Sequence, residues 1–357
     1  MTPNPNQNFT HEEEVEDWTK PSGVLFESDV TTDDGALSTY TGEFKQAQAW
    51  KRPLVWGNII IFTVTHLASL YGGYLLFTDT KPATMLFAFV MYCLGMLGIT
   101  AGAHRLWSHR SFKAKWPARL FLAILNCISF QDSIYYWVRD HRMHHKYSET
   151  DADPHNTSRG FFYSHIGWLL VRKHPDVTIK GKGLDLSDLH ADPIVMFQHK
   201  YYYYLMPLGC FILPTLIPWL CWNETLASSY FVAAMFRWCV QLNMTWMVNS
   251  SAHAWGGKPY DKGMNPSQNS FVSLMTFGEG WHNYHHVFPW DYRTAEWGGY
   301  TLSHATLLID LFAKIGWAYD LKTVTPEMIK KRSQRTGDGT HELYGEKVVP
   351  SVAKKIM

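Results

Sequence analysis

The chain of 357 residues carries 32 Lys and Arg against 31 Asp and Glu, a formal net charge of +1, and we expect no nucleic-acid partner. Apolar residues make up 46% of the sequence and aromatic residues 15%, yet the mean hydropathy is −0.19. A chain made only of transmembrane helices would not show a negative mean. We therefore expect a protein that lies partly in lipid and partly in water.

The chain opens with a polar segment, residues 1–49, whose acidic side chains include Glu12, Glu14 and Asp17. It lacks the apolar run of a signal peptide, and its composition is typical of segments that stay mobile in water. We expect this segment to lie in the cytosol. The first apolar stretch after it would direct the chain to the membrane.

Four apolar stretches are long enough to cross a bilayer, which takes roughly 20 helical residues. They cover about residues 54–77, 83–103, 203–222 and 227–248. Short polar turns at 78–82 and 223–224 separate the members of each consecutive pair, which predicts two transmembrane hairpins. A further apolar patch at 120–130 is too short to cross and is expected to form a buried or interfacial helix.

The distribution of cations predicts which side the loops face. The short turns contain Lys81 as their only cation, whereas residues 104–200 contain fourteen Lys or Arg. By the positive-inside rule, segment 104–200 and both termini face the cytosol. The pair Lys354-Lys355 resembles a retrieval signal of endoplasmic-reticulum membrane proteins, so we expect a multi-pass protein of that membrane.

Histidines recur in three short boxes. In two boxes the spacing is i, i+3 and i+4, which places three imidazoles within about 60° of one another on a helix. The first box has a spacing of five residues, or about 140° on a straight α-helix. One of its histidines must therefore lie where the helix unwinds or on its cytosolic extension. With a single histidine after the fourth stretch, the candidates are His104, His109, His141, His144, His145, His253, His282, His285 and His286.

Nine imidazoles exceed what one metal ion can bind, so the boxes predict two ions. No cysteine lies near the boxes, and imidazole suits Fe, Cu, Zn and Ni alike, so the ligands leave the ion open. Carboxylates that could serve a hydrolytic zinc site are Asp140, Glu149, Asp151, Asp153 and Glu279. The other histidines lack such spacing and are interpreted as structural: His11, His66, His155, His165, His174, His190, His199, His304 and His341.

The box sequences are His-Arg-Leu-Trp-Ser-His from residue 104, Arg-Asp-His-Arg-Met-His-His-Lys from 139 and Gly-Glu-Gly-Trp-His-Asn-Tyr-His-His from 278. Asn-Ser-Ser-Ala-His begins at residue 249. These segments resemble the animal stearoyl-CoA (acyl-CoA Δ9) desaturase family, and the similarity covers about residues 50–319. The resemblance implies one membrane-embedded desaturase domain at 50–320, followed by a basic cytosolic tail at 321–357.

The resemblance also implies a di-iron enzyme that uses O2 and two electrons to introduce a cis double bond, most often Δ9, into saturated acyl-CoA. The electrons would come from cytochrome b5 and its NADH-dependent reductase. The chain contains no His-Pro-Gly-Gly motif of a fused cytochrome b5, so a separate donor protein is expected. The nine histidines match the iron ligands of the family, and Asn249 matches a residue that holds an iron through a water.

Substrate contacts follow from the same match. Residues at the bend of the acyl tunnel and along it are Gln131, Trp137, Thr245, Trp168 and Trp246, and residues at its closed end are Tyr92 and Met96. Residues expected at the mouth, where cations would bind the CoA phosphates, are Asn58, Arg139, Asp140, Arg172 and Lys173.

Three positions depart from the family pattern. Asp132 stands where many relatives have Asn, and Gly57 where many have Arg; both changes would alter contacts to CoA. Met96 is larger than the residue found in many members that prefer long chains, so it predicts a shorter tunnel and a bias toward acyl chains of about 16 carbons or fewer.

The sequence thus predicts an all-α integral membrane protein, with four transmembrane helices capped by a cytosolic helical domain that holds a dinuclear metal site. Arg237 lies inside the fourth stretch, where a charge costs on the order of 3 kcal/mol, so it should face the interior. Alternatives are a desaturase of other regiospecificity, such as Δ11 or Δ12, and a histidine-box hydroxylase. A membrane metal carrier would place its ligands within the lipid-spanning segments, whereas these boxes lie at the cytosolic boundary.

Overall fold

The computed structural model describes Phe26 and residues 51–296 and 299–345. The expected mobile segment 1–49, apart from Phe26, and the Lys354-Lys355 pair lie outside the described residues.

Helices form nearly all of the regular structure in the described part of the chain. They are α1 (Trp56–Thr78), α2 (Pro82–Ser108), α3 (Trp116–Ser129), α4 (Ile134–Lys146), α5 (163–170), α6 (Pro175–Gly181), α7 (Ser187–Ala191), α8 (Pro193–Trp222), α9 (226–249), α10 (Ser251–Ala254), α11 (Ser270–Met275), α12 (His282–Val287), α13 (His304–Lys314) and α14 (Pro326–Thr336). Short 3-10 turns lie at Thr157–Arg159 and Tyr300–Leu302. Strand β1 (Lys113–Ala114) pairs antiparallel with β2 (Ala318–Tyr319).

Three of the helices, α1, α2 and α8, are long and apolar enough to cross a membrane, with 23, 27 and 30 residues. Helix α1 leaves Ile60, Val64 and Leu70 more than half exposed, as expected of side chains that face lipid. These three candidate spans coincide with three of the predicted spans, and α8 begins ten residues earlier than predicted. The fourth predicted span forms the continuous helix α9, which is less apolar because it contains Arg237, Gln241 and Asn243.

The two predicted hairpin turns lie side by side. The buried carboxylate of Glu224 accepts hydrogen bonds from the Lys81 backbone N–H (2.9 Å) and the Thr84 hydroxyl (2.5 Å). The Lys81 ammonium donates in return to the carbonyl of Trp222 at 3.0 Å. This contact brings the α1–α2 and α8–α9 turns to one end of the bundle, so α2 and α9 both end at the opposite side.

The predicted short apolar helix is α3, which has 14 residues. Leu122 and Leu125 are buried, whereas Leu120 and Ile124 on the other face are exposed. An amphipathic helix of this length fits the predicted buried or interfacial position.

The cap on that side includes residues that we expected to belong to the C-terminal tail. Helix α14 buries Ile329 and Arg332, and Ile329 packs in a cluster with Tyr260, Tyr284 and Trp290. Arg332 also forms an ion pair with Asp261. Residues 326–336 are therefore a packed part of the cap that covers the histidine boxes.

Candidate metal centre

The last part of α2 explains how the first box converges. Residues Gly98–Ser108 are wound as a π-helix, in which residue i+5 bonds to residue i. The backbone N–H of His109 accordingly donates to the carbonyl of His104 at 3.2 Å, and the two imidazole rings lie 4.9 Å apart. The widened winding reduces the separation of about 140° that a straight α-helix would impose.

The other boxes lie on short helices that face α2. Helix α4 carries His141, His144 and His145, with the Ser133 side chain capping its first turn. Helix α12 begins at His282, and α10 supplies His253. Since the three residues of each box lie on one helical face, both triplets point into the same interior.

The nine predicted histidines come together in two clusters, and each cluster has its ligand nitrogens within 4.8 Å of one another. The five-histidine cluster contains His104, His109, His141, His145 and His285. The four-histidine cluster contains His144, His253, His282 and His286. Each three-residue box thus contributes histidines to both clusters, so α4 and α12 each take part in both sites.

The spacing of the nitrogens fits a metal ion in each cluster. The Nε2 atoms of His104 and His285 lie 2.9 Å apart, and those of His253 and His282 also 2.9 Å. Two nitrogens about 2.1 Å from one ion and at right angles to each other would lie about 3 Å apart. A cation between them also relieves the repulsion of facing lone pairs.

Three buried carboxylates orient the outer ring nitrogens. His104 Nδ1 lies 2.8 Å from Glu279, His144 Nδ1 3.0 Å from Asp153, and His253 Nδ1 3.0 Å from Glu149. A carboxylate at Nδ1 holds the proton there and leaves the Nε2 lone pair for a metal. The sequence placed these acids beside the boxes, but their role as partners of particular histidines was missed.

Electrostatics keeps most of these rings neutral. Burial lowers the pKa of five of them well below the usual value, and neighbouring imidazoles lower it further: His141, His145, His282, His285 and His286. Burial opposes ionisation of Glu149, but hydrogen bonds from His253 and Thr157 outweigh it and lower its pKa to about 2. Neutral imidazoles backed by ionised carboxylates are the forms that metal binding requires.

Two buried guanidinium groups brace the first box, and sequence reasoning did not find them. Arg105 binds Glu279 at 2.9 Å. Arg142 binds Asp188 at 2.7 Å and donates to the backbone carbonyls of Trp107 and Ser108. Both are next to a histidine of a box, so a close look at the flanking cations could have suggested them.

An apolar cavity opens onto both clusters. It is lined by Met96, Ile99, Thr100, His104, Trp137, His141, His144, Thr245, Val248, Asn249, Thr276, Glu279 and His282. The predicted residues Met96, Trp137, Thr245 and Asn249 therefore border it. Gln131 reaches it indirectly, by donating from Nε2 to the Thr245 hydroxyl at 2.9 Å.

Other predicted tunnel residues lie behind the cavity wall. Tyr92 packs with Met96 and donates its hydroxyl to the Met275 carbonyl at 2.6 Å. Trp246 and Trp168 do not line the cavity. Trp246 packs against Phe62. Trp168 packs edge-to-face on His155, and the His155 ring lies 5.4 Å from the His144 ring. His155, interpreted as structural from the sequence, therefore packs beside the four-histidine cluster.

Of the five residues expected at the mouth of the acyl tunnel, three form a charged cluster and two lie outside that cluster. Asp140 binds both Arg139, at 2.8 Å, and Lys173. Burial opposes ionisation of Asp140, but these two cations lower its pKa. Asn58 donates to the Leu169 carbonyl at 2.7 Å, and Arg172 is exposed.

The two departures at the mouth also have defined positions. A side chain added at Gly57 would meet open space. Asp132 has a left-handed backbone, with φ of 76°, and its carboxylate accepts a hydrogen bond from the Ser133 N–H.

The sequence profile of the fatty acid desaturase family matches residues 80–321. The acyl-CoA Delta-9 desaturase of Acheta domesticus is 58% identical over 329 residues, which cover 91% of this chain and 92% of that protein. The acyl-CoA Delta12-desaturase of the same species is 54% identical with the same coverage. The acyl-CoA Delta(11) desaturase of Spodoptera littoralis is 58% identical over 84% of this chain and 88% of its own. With all nine histidines gathered around two metal-sized sites, the chain belongs to the fatty acid desaturase family.

Proposed function

We propose that this protein is an acyl-CoA desaturase that introduces a cis double bond at Δ9 of saturated acyl-CoA, using O2 and electrons from cytochrome b5 and its NADH-dependent reductase. The observation that carries the proposal is the pair of all-imidazole clusters that open onto an apolar cavity. Relatives named for Δ9, Δ11 and Δ12 activity share 54–58% identity with the chain. A Δ11 register is therefore the second candidate.

The two clusters would hold two iron ions, with the five-histidine cluster binding one and the four-histidine cluster the other. Bound iron would activate O2, and the O2 would supply the oxidising power needed to remove hydrogen from an unactivated C–H bond. The protein's part is to fix the imidazoles through Glu279, Asp153 and Glu149. Asn249, which lines the same cavity as His144 and His282, would hold a water against the second ion.

The cavity wall would hold the acyl chain so that the same carbons always lie beside the clusters. A flexible chain reacts at one position only if it is held within about 1 Å. Trp137 stacks on His141 with ring centroids 4.8 Å apart, and Thr245 is fixed by Gln131. These side chains border the reacting carbons, while Met96 closes the cavity toward Tyr92 and favours chains of about 16 carbons or fewer.

The CoA phosphates would bind to Arg139 and Lys173, with Arg172 close by in sequence. Arg139 and Lys173 both contact Asp140, so they are pre-positioned and can add charge-assisted hydrogen bonds to an anion.

In the proposed membrane arrangement, α9 is the fourth span. Both termini and the cap face the cytosol, and the protein resides in the endoplasmic reticulum. The rows of exposed apolar side chains on α1 support the lipid contact.

Expression in a yeast that lacks its own acyl desaturase tests the proposal. The cells are fed saturated acids, and their lipids are analysed by gas chromatography with mass-spectrometric location of double bonds. A monoene at carbon 9 is the expected product, and a monoene at carbon 11 would select the second candidate. Hydroxy acids, or no product from an iron-loaded protein with an active cytochrome b5 system, would overturn the desaturase proposal.

A further inference from the structure

Arg237 is a buried cation that binds backbone carbonyls. Its side chain lies in α9 and is 2% exposed. It donates to the backbone carbonyls of Cys210 at 2.7 Å and Ile128 at 2.8 Å, and to the Gln241 side chain at 3.3 Å. Within residues 51–296 and 299–345, no carboxylate forms an ion pair with it. A neutral apolar side chain would pack there without the desolvation cost of a cation. An arginine at this position is explained by its ability to donate to several carbonyl oxygens at once.

One of these carbonyl oxygens belongs to the last turn of α3. The last carbonyls of a helix have no partner within it, and α3 ends at Ser129, before Phe130 in the left-handed conformation with φ of 44°. Arg237 binds the Ile128 carbonyl, and the neighbouring Trp238 donates to the Phe130 carbonyl at 3.3 Å. The Trp238 and Phe130 rings stack with centroids 4.7 Å apart. Helix α9 thus clamps the turn 128–130 through two consecutive residues.

This turn is connected to the cavity wall through the residue that follows it. The next residue, Gln131, donates to the Thr245 hydroxyl, which in turn donates to the Gln241 carbonyl at 3.1 Å. Arg237, Gln241 and Thr245 are spaced by four residues and share one face of α9. Arg237 lies two helical turns from Thr245, roughly 12 Å along the axis, so it acts on the cavity only through the turn and through Gln241.

Gln241 also lies against α2, the helix that carries Met96 of the cavity lining. A Cβ added at Gly95 of α2 would lie 2.6 Å from the Gln241 amide, so the two helices meet closely beside Met96. Arg237 therefore fixes both the turn that carries Gln131 and the side chain that packs against α2. The lining residues Thr245 and Met96 are therefore both next to groups that Arg237 holds in place.

We propose that Arg237 is a positioning residue that sets which carbons of the acyl chain lie beside the metal clusters, by holding turn 128–130 against α9. The proposal rests on the acyl-CoA desaturase activity proposed above. Without the anchor, the Gln131–Thr245 contact can shift by a fraction of a carbon–carbon spacing. The reaction then spreads over neighbouring carbons.

The test compares Arg237→Gln and Arg237→Lys with wild type in the desaturase-deficient yeast, scoring the position of the double bond. In Arg237→Gln we expect the share of products away from the main position to rise at least fivefold. Arg237→Lys keeps the charge but loses the planar fork of donors, so a smaller rise is expected. Arg332→Lys is the matched control, because Arg332 is equally buried, at 1% exposure, but lies in the cap; its product positions should match wild type.

Trp238→Phe provides a milder variant if the Arg237 variants fail to fold, because it keeps the ring stack and removes only the bond to Phe130. A two- to threefold rise in misplaced double bonds is expected. Purified protein gives a second readout, the ratio of Kd values for palmitoyl-CoA and stearoyl-CoA, which should move toward unity in the same variants. Variants that make less product with unchanged double-bond positions and an unchanged Kd ratio would overturn the proposal. Wild-type protein without any monoene would instead refute the desaturase activity itself.

Discussion

Met96→Ala should lengthen the cavity and change the preferred acyl chain. Met96 is 1% exposed and stands between the cavity and the cluster formed with Tyr92 and Phe277. Truncation to Ala opens room for about two methylene groups, each worth about 0.8 kcal/mol when buried. The kcat/KM ratio of an 18-carbon to a 16-carbon substrate should therefore rise by up to about 15-fold.

The assay is a competition between palmitoyl-CoA and stearoyl-CoA with purified protein, reduced cytochrome b5 and O2. Met91→Ala serves as the control, since Met91 is on the same helix and 8% exposed but packs against Leu125 and Ile128 of α3, away from the cavity. Both variants should lose stability, and only Met96→Ala should change the ratio. An unchanged ratio in an active Met96→Ala protein would refute the assignment of Met96 to the closed end.

Further outcomes are expected for the carboxylate behind His253, for the partner of Arg142 and for a cation expected to bind CoA. Glu149→Gln removes the charge behind His253, and iron affinity measured by chelator competition should fall about 10- to 100-fold; Glu224→Gln, distant from the clusters, should leave it unchanged. Burial opposes ionisation of Asp188, but bonds from Arg142 and Arg110 lower its pKa to about 2. Its stabilisation is thus complete above the unfolded pKa of about 3.9 and is lost as pH falls through 2. Asp188→Asn should cost about 2 kcal/mol of unfolding free energy at pH 7 and clearly less at pH 3, and an equal cost at both would contradict this linkage. Lys173→Ala should raise the KM for acyl-CoA about tenfold at low salt and less in high salt, because salt screens a partly exposed charge.

The metal site was the part most readable from sequence, because ligand spacing is a local property. Boxes with i, i+3 and i+4 spacing must present their imidazoles together on a helix. How the boxes divide into five and four ligands depends on how α4 faces α12, which is a long-range property. The spacing of His104 and His109 was resolved by π-winding, which no residue pattern in that segment indicates.

The bundle was less readable where polar residues lie in a helix. Helices α1, α2 and α8 follow from apolar length alone. Helix α9 is polar on the face that holds Arg237, Gln241 and Thr245, and that face binds the carbonyls of Ile128 and Cys210 and the side chain of Gln131. The carboxylate partners were visible as acids beside the boxes, but pairing Glu149 with His253 joins residues 104 positions apart. Such a contact is fixed by the tertiary fold.

The iron content of purified protein, measured on the same sample as its turnover, tests the two-ion site most directly. The two histidine clusters predict about two irons per active chain. They also predict about one iron, without turnover, after His253→Ala and His282→Ala dismantle the four-histidine cluster and leave the five-histidine cluster intact. Full turnover by a protein that holds a single iron, or by the doubly substituted variant, would contradict the account.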